Sequence, residues 1–416
     1  MISRSQRILG LDIGSSSVKG VELARTGDSY TITGYAEREI SSAGTLKDAI
    51  AAVIREGRFR SKQVVSSVSG RSVIVRYVNT PFMKQEELKN SMRFEADKYI
   101  PFDVNEVILD CVPLDDKPIK DTGEMRVVLV AVKKEVVNEH VRVLQEVGLF
   151  PYIIDVDCFA LGNAFEMAGE AGTEAAPQAA AAGEAEASAA LSGTVVDQPA
   201  APPRRKPAVE EEKDNTPEEL VFSDEPSAEG DGETADPAAA TAPEMKAVPD
   251  TPREKVFALV DIGAQKTNIN IMQGNKSCFT REVYIGGEDM TDAVSKFLGV
   301  TPEEAEKAKR SGEKEAAVLE AVTHTLDDLA NEIFLSFDYF ENQFDAEIKT
   351  VYLSGGGSRL KGIQGVLSQT LAREVRLWDP IAGFDVSLGG AQANTLRENA
   401  AQLAVAVGLA SRLRKV

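Results

Sequence analysis

A chain of 416 residues with 46 basic and 66 acidic side chains carries a formal charge of −20, which argues against binding nucleic acid through its phosphates. The length exceeds what a single core spans, so two or more domains are expected, and an apolar content of 43% suffices for sizeable cores. Three widely separated cysteines, Cys111, Cys158 and Cys278, form no CxxC pair, which argues against a disulfide framework or a zinc site and fits a reducing cytoplasm.

The first apolar run, Ile8, Leu9, Leu11 and Ile13, reads as a buried strand. Val18, Val21 and Leu23 start a second strand after a gap too short for a helix. A third strand runs through "SYTITGYAEREI", and "TLKDAIAAVIREG" is an amphipathic helix with Leu46, Ile50, Val53 and Ile54 on one face and Gly57 as its stop. A strand pair around "VVSSVSGRSVIVRYVNTP" leads to a helix over "KQEELKNSMRFEADKYI", ended by Pro101. Strands "EVILDCVPLD" and "MRVVLVAVKK", the helix "EVVNEHVRVLQEVG" and the strand-to-helix segment "YIIDVDCFALGNAFEMA" complete an α/β alternation.

Residues 169–253 break it. They are rich in Ala, Glu, Pro, Gly and Ser with few aromatics, and read as a disordered acidic tether. Residues 171–250 hold 18 acids and 5 bases, a net of −13, so most of the charge belongs to this segment. No signal-like apolar region opens the chain, and no stretch approaches the ~18 apolar residues of a membrane span, so any membrane association is expected to come through partners.

Beyond the tether the pattern restarts. "KVFALVDIGAQKTNINIMQG" repeats the strand, Asp-Ile-Gly turn and strand of "RILGLDIGSSSVKGVELARTG", as expected of two halves related by duplication that each offer a hairpin to a shared cleft. The boundaries expected are 1–168 for the first half, 169–253 for the tether and 254–416 for the second half.

The turn from Gly14 to Ser17 carries a glycine and three small hydroxyl residues, so it exposes backbone N–H groups and leaves room for a phosphate. Asp12 would hold magnesium through water and Lys19 would supply a point charge. An ordinary polar hairpin with a surface lysine is the other reading of the same residues. If two hairpins face each other, Asp12 and Asp261 meet at the cleft floor and complete an oxygen-rich shell for magnesium. In "TVYLSGGGSRLKG" a strand runs into Gly355, Gly356 and Gly357, where the backbone would lie against a flat purine, or serve only as a connector. Thr301, Pro302 and Glu304 form a capping box that starts a helix and puts Glu306 and Lys309 one turn apart, in isolation a solvated ion pair.

This order of elements resembles the actin, Hsp70 and sugar-kinase ATPase superfamily, over nearly all of the chain outside the tether. The resemblance implies an actin-like fold of two duplicated RNase H-like halves around a nucleotide cleft. It assigns Gly14, Ser15, Ser16, Ser17 and Lys19 to a first phosphate loop and Asp261, Gly263, Ala264, Lys266 and Thr267 to a second. Glu306 and Lys309 match a ribose-contacting pair, and Gly355, Gly356, Gly357 and Arg359 the base-side turn. "FEADKYIPFDVNEVILD", with Glu95, Tyr99, Ile100, Pro101 and Phe102, falls where FtsA-like members carry a small inserted subdomain, expected here at about 77–152. Together with "SGRSVIVRYVNTPFMKQEEL" and "GFDVSLGGAQANTLRENAAQLAVAVGLASR" it is similar to the PilM family of type IV pilus assembly. The chain stops at "SRLRKV" with no amphipathic targeting helix of the FtsA kind, and its tether is longer than such folds need.

That family implies a cytoplasmic adaptor that binds ATP and Mg2+, docks the N-terminal tail of PilN, meets other pilus proteins and motor ATPases, and sits at the inner membrane through its partners. Arg71, Arg76, Phe94, Tyr99 and Phe102 are candidates for the tail's groove. Asp155 and Asp157 are candidates to orient water, and His140 and His324 fall in helical patterns away from the loops, so slow turnover at most is expected. The alternatives are an FtsA- or MreB-like protein that self-associates into filaments, and a small-molecule kinase of the same fold.

Overall fold

The computed structural model describes residues 6–27, 29–40, 44–120, 122–169 and 255–412, all in one packed unit. Beyond Gly169 the expected tether lies outside the described residues. In the first half, β1 (Gln6–Ile13), β2 (Ser17–Thr26) and β3 (Ser29–Glu39) form an antiparallel meander. The helix α1 (Leu46–Gly57) follows, opened by a Thr45/Asp48 capping box and closed by Arg58 in the left-handed region at φ 49°. Then β4 (Gln63–Val68) pairs parallel to β1, and β8 (Phe150–Val156) parallel to β4.

The second half repeats this plan strand for strand. The meander β9 (Val256–Ile262), β10 (Thr267–Gln273) and β11 (Lys276–Val283) is followed by α5 (Gly287–Leu298), α6 (Pro302–Ser311) and α7 (Glu315–Phe344). Next, β12 (Thr350–Ser354) pairs parallel to β9, α8 (Ile363–Leu371) crosses over, and β13 (Glu374–Leu377) pairs parallel to β12. The sheet orders β3-β2-β1-β4-β8 and β11-β10-β9-β12-β13 are therefore the same, with the same strand directions, which is the duplication that the two Asp-Ile-Gly segments announce.

Between β4 and β8 the chain leaves the first sheet to build a separate one. It consists of β5 (Val73–Pro81), β6 (Val107–Pro113) and β7 (Glu124–Lys133) in the order β5-β7-β6, with α2 (Gln85–Glu95) on one face, and α3 (Lys134–Glu146) returns to the first half. Leu88, Met92, Cys111, Met125, Val127 and Leu129 close its core. After β13 the chain also returns to the first half. The short β14 (Asp385–Val386) adds to β3, and α9 (Gly390–Glu398) leads to α10 (Ala404–Ala410).

Two helices lie between the sheets: α10 against β1, and α4 (Asp157–Ala168) against β10. Leu161, Ala164 and Phe165 of α4 pack with Phe257, Leu259, Tyr352 and Trp378 of the second half and Ala406, Val407 and Ala410 of α10. Small residues permit this approach. A Cβ on Gly408 would lie 1.8 Å from the Ala160 carbonyl oxygen, and one on Gly10 would lie 2.1 Å from that of Ala406. Both neighbours are backbone and cannot swing aside.

Gly408→Ala is therefore expected to destabilise the protein by about 2 kcal/mol or more, while Gly389→Ala, whose added methyl meets nothing within 4 Å, stays within about 0.5 kcal/mol. Denaturant unfolding monitored by circular dichroism checks both.

Candidate functional site

The two hairpin turns are built alike. The Gly14 N–H donates to the Ser17 carbonyl at 3.0 Å, and the Gly263 N–H donates to the Lys266 carbonyl at 2.8 Å. Each turn follows an acid at a strand end: Asp12 opposite Lys19 across β1 and β2, and Asp261 opposite Asn268 across β9 and β10. A serine on the parallel neighbour strand braces each. Ser66 Oγ donates to the Leu11 carbonyl at 2.7 Å, and Ser354 Oγ donates to Asp261 Oδ1 at 2.7 Å.

Asp12 and Asp261 are each 9% exposed. Burial raises the pKa of both carboxyls; for Asp12, the pull of Lys19, 3.2 Å away, does not overcome it. Asp261 is pushed up to about 6, first by burial and then by the charge of Asp12, against the Ser354 hydrogen bond. Despite its own burial, Lys19 is held above its usual pKa by Asp12 and Glu37. Asp157, at the start of α4, completes the cluster: its charge raises both buried aspartates, and its Oδ2 accepts from Lys266 Nζ at 3.1 Å. Two buried carboxylates whose pKa values are both raised form a set of oxygens short of positive charge, which a divalent cation would supply. Among the described residues no group of three or more His, Cys, Asp or Glu side chains could hold a metal by itself. Two carboxylates with the remaining positions left to water and a ligand's oxygens suit magnesium, which keeps much of its hydration.

The candidate residues divide by what they touch. Ser15 and Ser16 are exposed at the first turn, whereas Ser17 is buried. In the second turn Thr267 is fully buried and donates to the Ile285 carbonyl at 2.7 Å, so its hydroxyl serves the fold. Ala264 and Gly263 offer their carbonyls to the N–H groups of Glu288 and Gly287 at the start of α5. Lys309 corrects the expectation of a solvated pair. It is 5% exposed, and its three protons go to the Gly287 carbonyl (2.8 Å), Thr291 Oγ1 (2.6 Å) and Glu306 Oε2 (2.6 Å), which fastens α6 to the first turn of α5. Glu306 also holds Arg310 at 2.8 Å.

The glycine turn is tight for reasons of packing. Gly355 has φ +88°, and a Cβ there would sit 2.3 Å from the Ile262 carbonyl oxygen; on Gly357 it would sit 2.3 Å from Ile262 Cγ2. Gly356 alone faces open space, with Gln402 Oε1 at 3.6 Å as the nearest atom. Arg359 donates to Asn399 Oδ1 at 2.9 Å, Asn399 donates to the Tyr35 hydroxyl at 3.1 Å, and Gln402 donates to Glu37 Oε2 at 2.7 Å. This polar network borders a cavity of about 580 Å³ lined by Tyr35, Glu37, Glu56, Arg310, Asn399 and Gln402.

Asp155 is not brought to the cluster: its Oδ2 accepts from Arg412 Nε at 2.6 Å. His140 corrects the expectation in the other direction. Its Nε2 lies 2.9 Å from Ser66 Oγ, whose proton is committed to the Leu11 carbonyl, so the imidazole donates. Burial lowers its pKa while the charge of Asp157 opposes the shift. A helical pattern shows which face of α3 is apolar but not which strand its polar residue meets. Glu37, Ser66, Glu282 and Ser354 also belong to the site, and only Ser354, next to the glycine run, stood near a sequence signal.

The five groove candidates occupy different settings. Arg71 lies over the Tyr284 ring at 5.0 Å, and Arg76 is half-buried near Tyr339. Tyr99 and Phe102 pack on the inserted core, and Phe94 is 87% exposed. Among the described residues no helix is long and apolar enough to cross a membrane.

A family model described as type IV pilus assembly protein PilM matches residues 10–182 and 234–414. Among solved structures, the chain is similar to that of a PilM-PilN type IV pilus biogenesis complex, at 24% identity over 98% of each chain with a TM-score of 0.69. It is also similar to the ethanolamine utilization protein EutJ from Carboxydothermus hydrogenoformans (11% identity, 98% of this chain and 89% of that one, TM-score 0.46). A third is MreB5 of Spiroplasma citri bound to ADP (9% identity, 99% of this chain and 97% of that one, TM-score 0.43).

Replacing one of the two repelling acids should relieve the fold. Asp261→Asn keeps an acceptor for Ser354 and is expected to raise stability at pH 8 by about 1 kcal/mol. The native Asp261 binds its proton more tightly than the unfolded chain does, so its burden on stability is absent below about pH 4 and full above about pH 6. Thermal melts from pH 4 to 8 should show that fall in the native protein and a flatter profile in D261N.

Proposed function

The chain belongs to the PilM family of type IV pilus assembly proteins, and from that premise we propose that it is a nucleotide-binding adaptor that docks the N-terminal tail of PilN and links the inner-membrane complex to the pilus motor. The observation that carries the nucleotide part is the pair of buried aspartates, Asp12 and Asp261, with Lys19 and Lys266 beside two equivalent hairpin turns. Backbone N–H groups and the exposed Ser15 and Ser16 hydroxyls of the first turn would take phosphate oxygens, with Lys19 and Lys266 as the cations. Asp12 and Asp261 would hold Mg2+, which supplies charge neutralisation to the phosphates when bound. The polar cavity beyond Arg359 and Glu37 would receive the nucleoside.

Turnover would be slow. Of the two acids on the segment entering α4, Asp157 stands in the cleft but is held by Lys266, and Asp155 is held by Arg412. Asp157 would orient water only after releasing that lysine. His140 spends its Nε2 proton on Ser66, which braces the strand that carries Asp12.

For the tail, the inserted sheet offers β6 as an edge strand, with Ile108 and Val112 exposed along it and Phe94 exposed on α2. An extended apolar peptide would add to such an edge through its backbone and seat alternate side chains. The likeness to a chain of a PilM-PilN complex supports that choice of partner.

Calorimetric titration with Mg-ATP tests the first part. Asp12→Ala is expected to weaken binding about tenfold or more, for a loss of roughly 1–3 kcal/mol, and unchanged affinity in a folded variant would overturn the assignment of that loop. Binding should tighten from pH 5 to 7 as Asp261 gives up its proton, with proton release visible as a dependence of the heat on buffer ionisation at pH 6. Titration with a PilN tail peptide tests the second part, and Val112→Asp should abolish saturable binding while leaving that of Mg-ATP unchanged.

A further inference from the structure

The Lys266 ammonium has two acidic partners, Asp157 Oδ2 at 3.1 Å and Glu282 Oε1 at 2.8 Å. The second oxygen of Glu282, Oε2, accepts the backbone N–H of Gly70 at 3.0 Å. Gly70 stands in the turn between β4 and β5 with φ +91°, where the chain leaves the first sheet for the inserted one. One carboxylate on β11 thus holds the phosphate-loop lysine with one oxygen and the root of the inserted sheet with the other.

Two more contacts join β11 and the residue after it to β5 and the turn before it. The Arg71 guanidinium lies 5.0 Å over the Tyr284 ring, and the Tyr77 hydroxyl lies 2.9 Å from Ser277 Oγ. Ser277 in turn donates to Asn270 Oδ1 at 2.6 Å, and Asn270 Nδ2 donates to the Cys158 carbonyl at 2.7 Å in the first turn of α4, one residue beyond Asp157. The β10–β11 hairpin therefore touches the candidate phosphate site at one end and the inserted sheet along its side.

We propose that Glu282 is a coupling residue: an anion that draws Lys266 into the cleft releases the root of the inserted sheet from β11. The inference rests on the nucleotide reading of the cleft. A phosphate group competes with Glu282 for the Lys266 ammonium. A half-buried carboxylate that loses its cation gains by turning to water, and in turning it gives up the Gly70 N–H. Linkage makes the effect reciprocal: a ligand that favours the released inserted sheet tightens anion binding, and one that clamps the sheet on β11 weakens it.

Hydrogen exchange of the full-length protein, with and without the non-hydrolysable probe Mg-AMP-PNP, tests the proposal, and calorimetry on the same samples reports binding. Amides of residues 70–78 are expected to exchange about fivefold faster or more when the probe is bound. Glu282→Ala, which removes the acceptor for the Gly70 N–H as well as the partner of Lys266, should exchange fast there without the probe, show no further change with it, and bind the probe at least as tightly as the native protein. Tyr284→Ala, at a half-exposed ring whose loss the core tolerates, should also raise exchange at Gly70 and Arg71 in the free protein and shrink the response to the probe. Binding with unchanged exchange at 70–78, or with the same change in E282A, overturns the coupling and leaves the nucleotide reading standing. No binding of the probe overturns both.

Discussion

Two carboxylates, Asp12 and Asp261, are buried in one cleft, where Asp12 raises the pKa of Asp261, and much of the surrounding structure answers the repulsion between them. Lys19 is placed opposite Asp12 across a two-strand pairing, Ser354 caps Asp261 from the parallel neighbour, and Lys266 neutralises Asp157. Desolvation makes each charge expensive, so Lys19, Lys266 and Ser354 are all engaged by these acids or their neighbours.

The duplication explains how one fold brings these groups together. Two meanders with the same strand order carry two equivalent turns, each with a glycine N–H closing on the third carbonyl along. What joins the halves is a layer of small-residue contact, α4 and α10 between the sheets, where Gly10 and Gly408 let backbone meet backbone. Close packing of this kind is stiff. The inserted sheet is attached to the second half differently, through polar contacts at Gly70, Arg71 and Tyr77 rather than through a shared apolar core.

The same geometry separates candidate residues that are spent on holding the fold from those that stand at the cleft. Lys309 and Thr267 carry residue types that suit ligand contact, yet one has all three protons spent on α5, Thr291 and Glu306, and the other bonds the Ile285 carbonyl. Ser15, Ser16, Lys19 and Lys266 remain at the cleft. Spacing along a chain reports which residues can share a face; whether a polar group is already satisfied depends on partners from distant segments.

Local pattern alone determined a large part of this protein. The hairpins, the α1 helix, the capping box at Thr301 and the repeat of the Asp-Ile-Gly segments were legible, because strand alternation, caps and turn glycines act over a few residues, while the inserted segment and the actin-like plan rested on resemblance to a known family. Asp12 and Lys19 stood out in the sequence with separate roles, one toward magnesium and one toward phosphate, and the register of their two-strand hairpin pairs them. Tertiary structure alone decided that α10 returns to pack on β1, that His140 reaches Ser66, that Asp155 belongs to Arg412 while Asp157 belongs to the cleft, and that Glu282 bridges Lys266 and Gly70. Each of these joins residues dozens to hundreds of positions apart, except the lysine and glutamate held across one hairpin. Such contacts are set by how sheets and helices pack once formed, and no local periodicity records them.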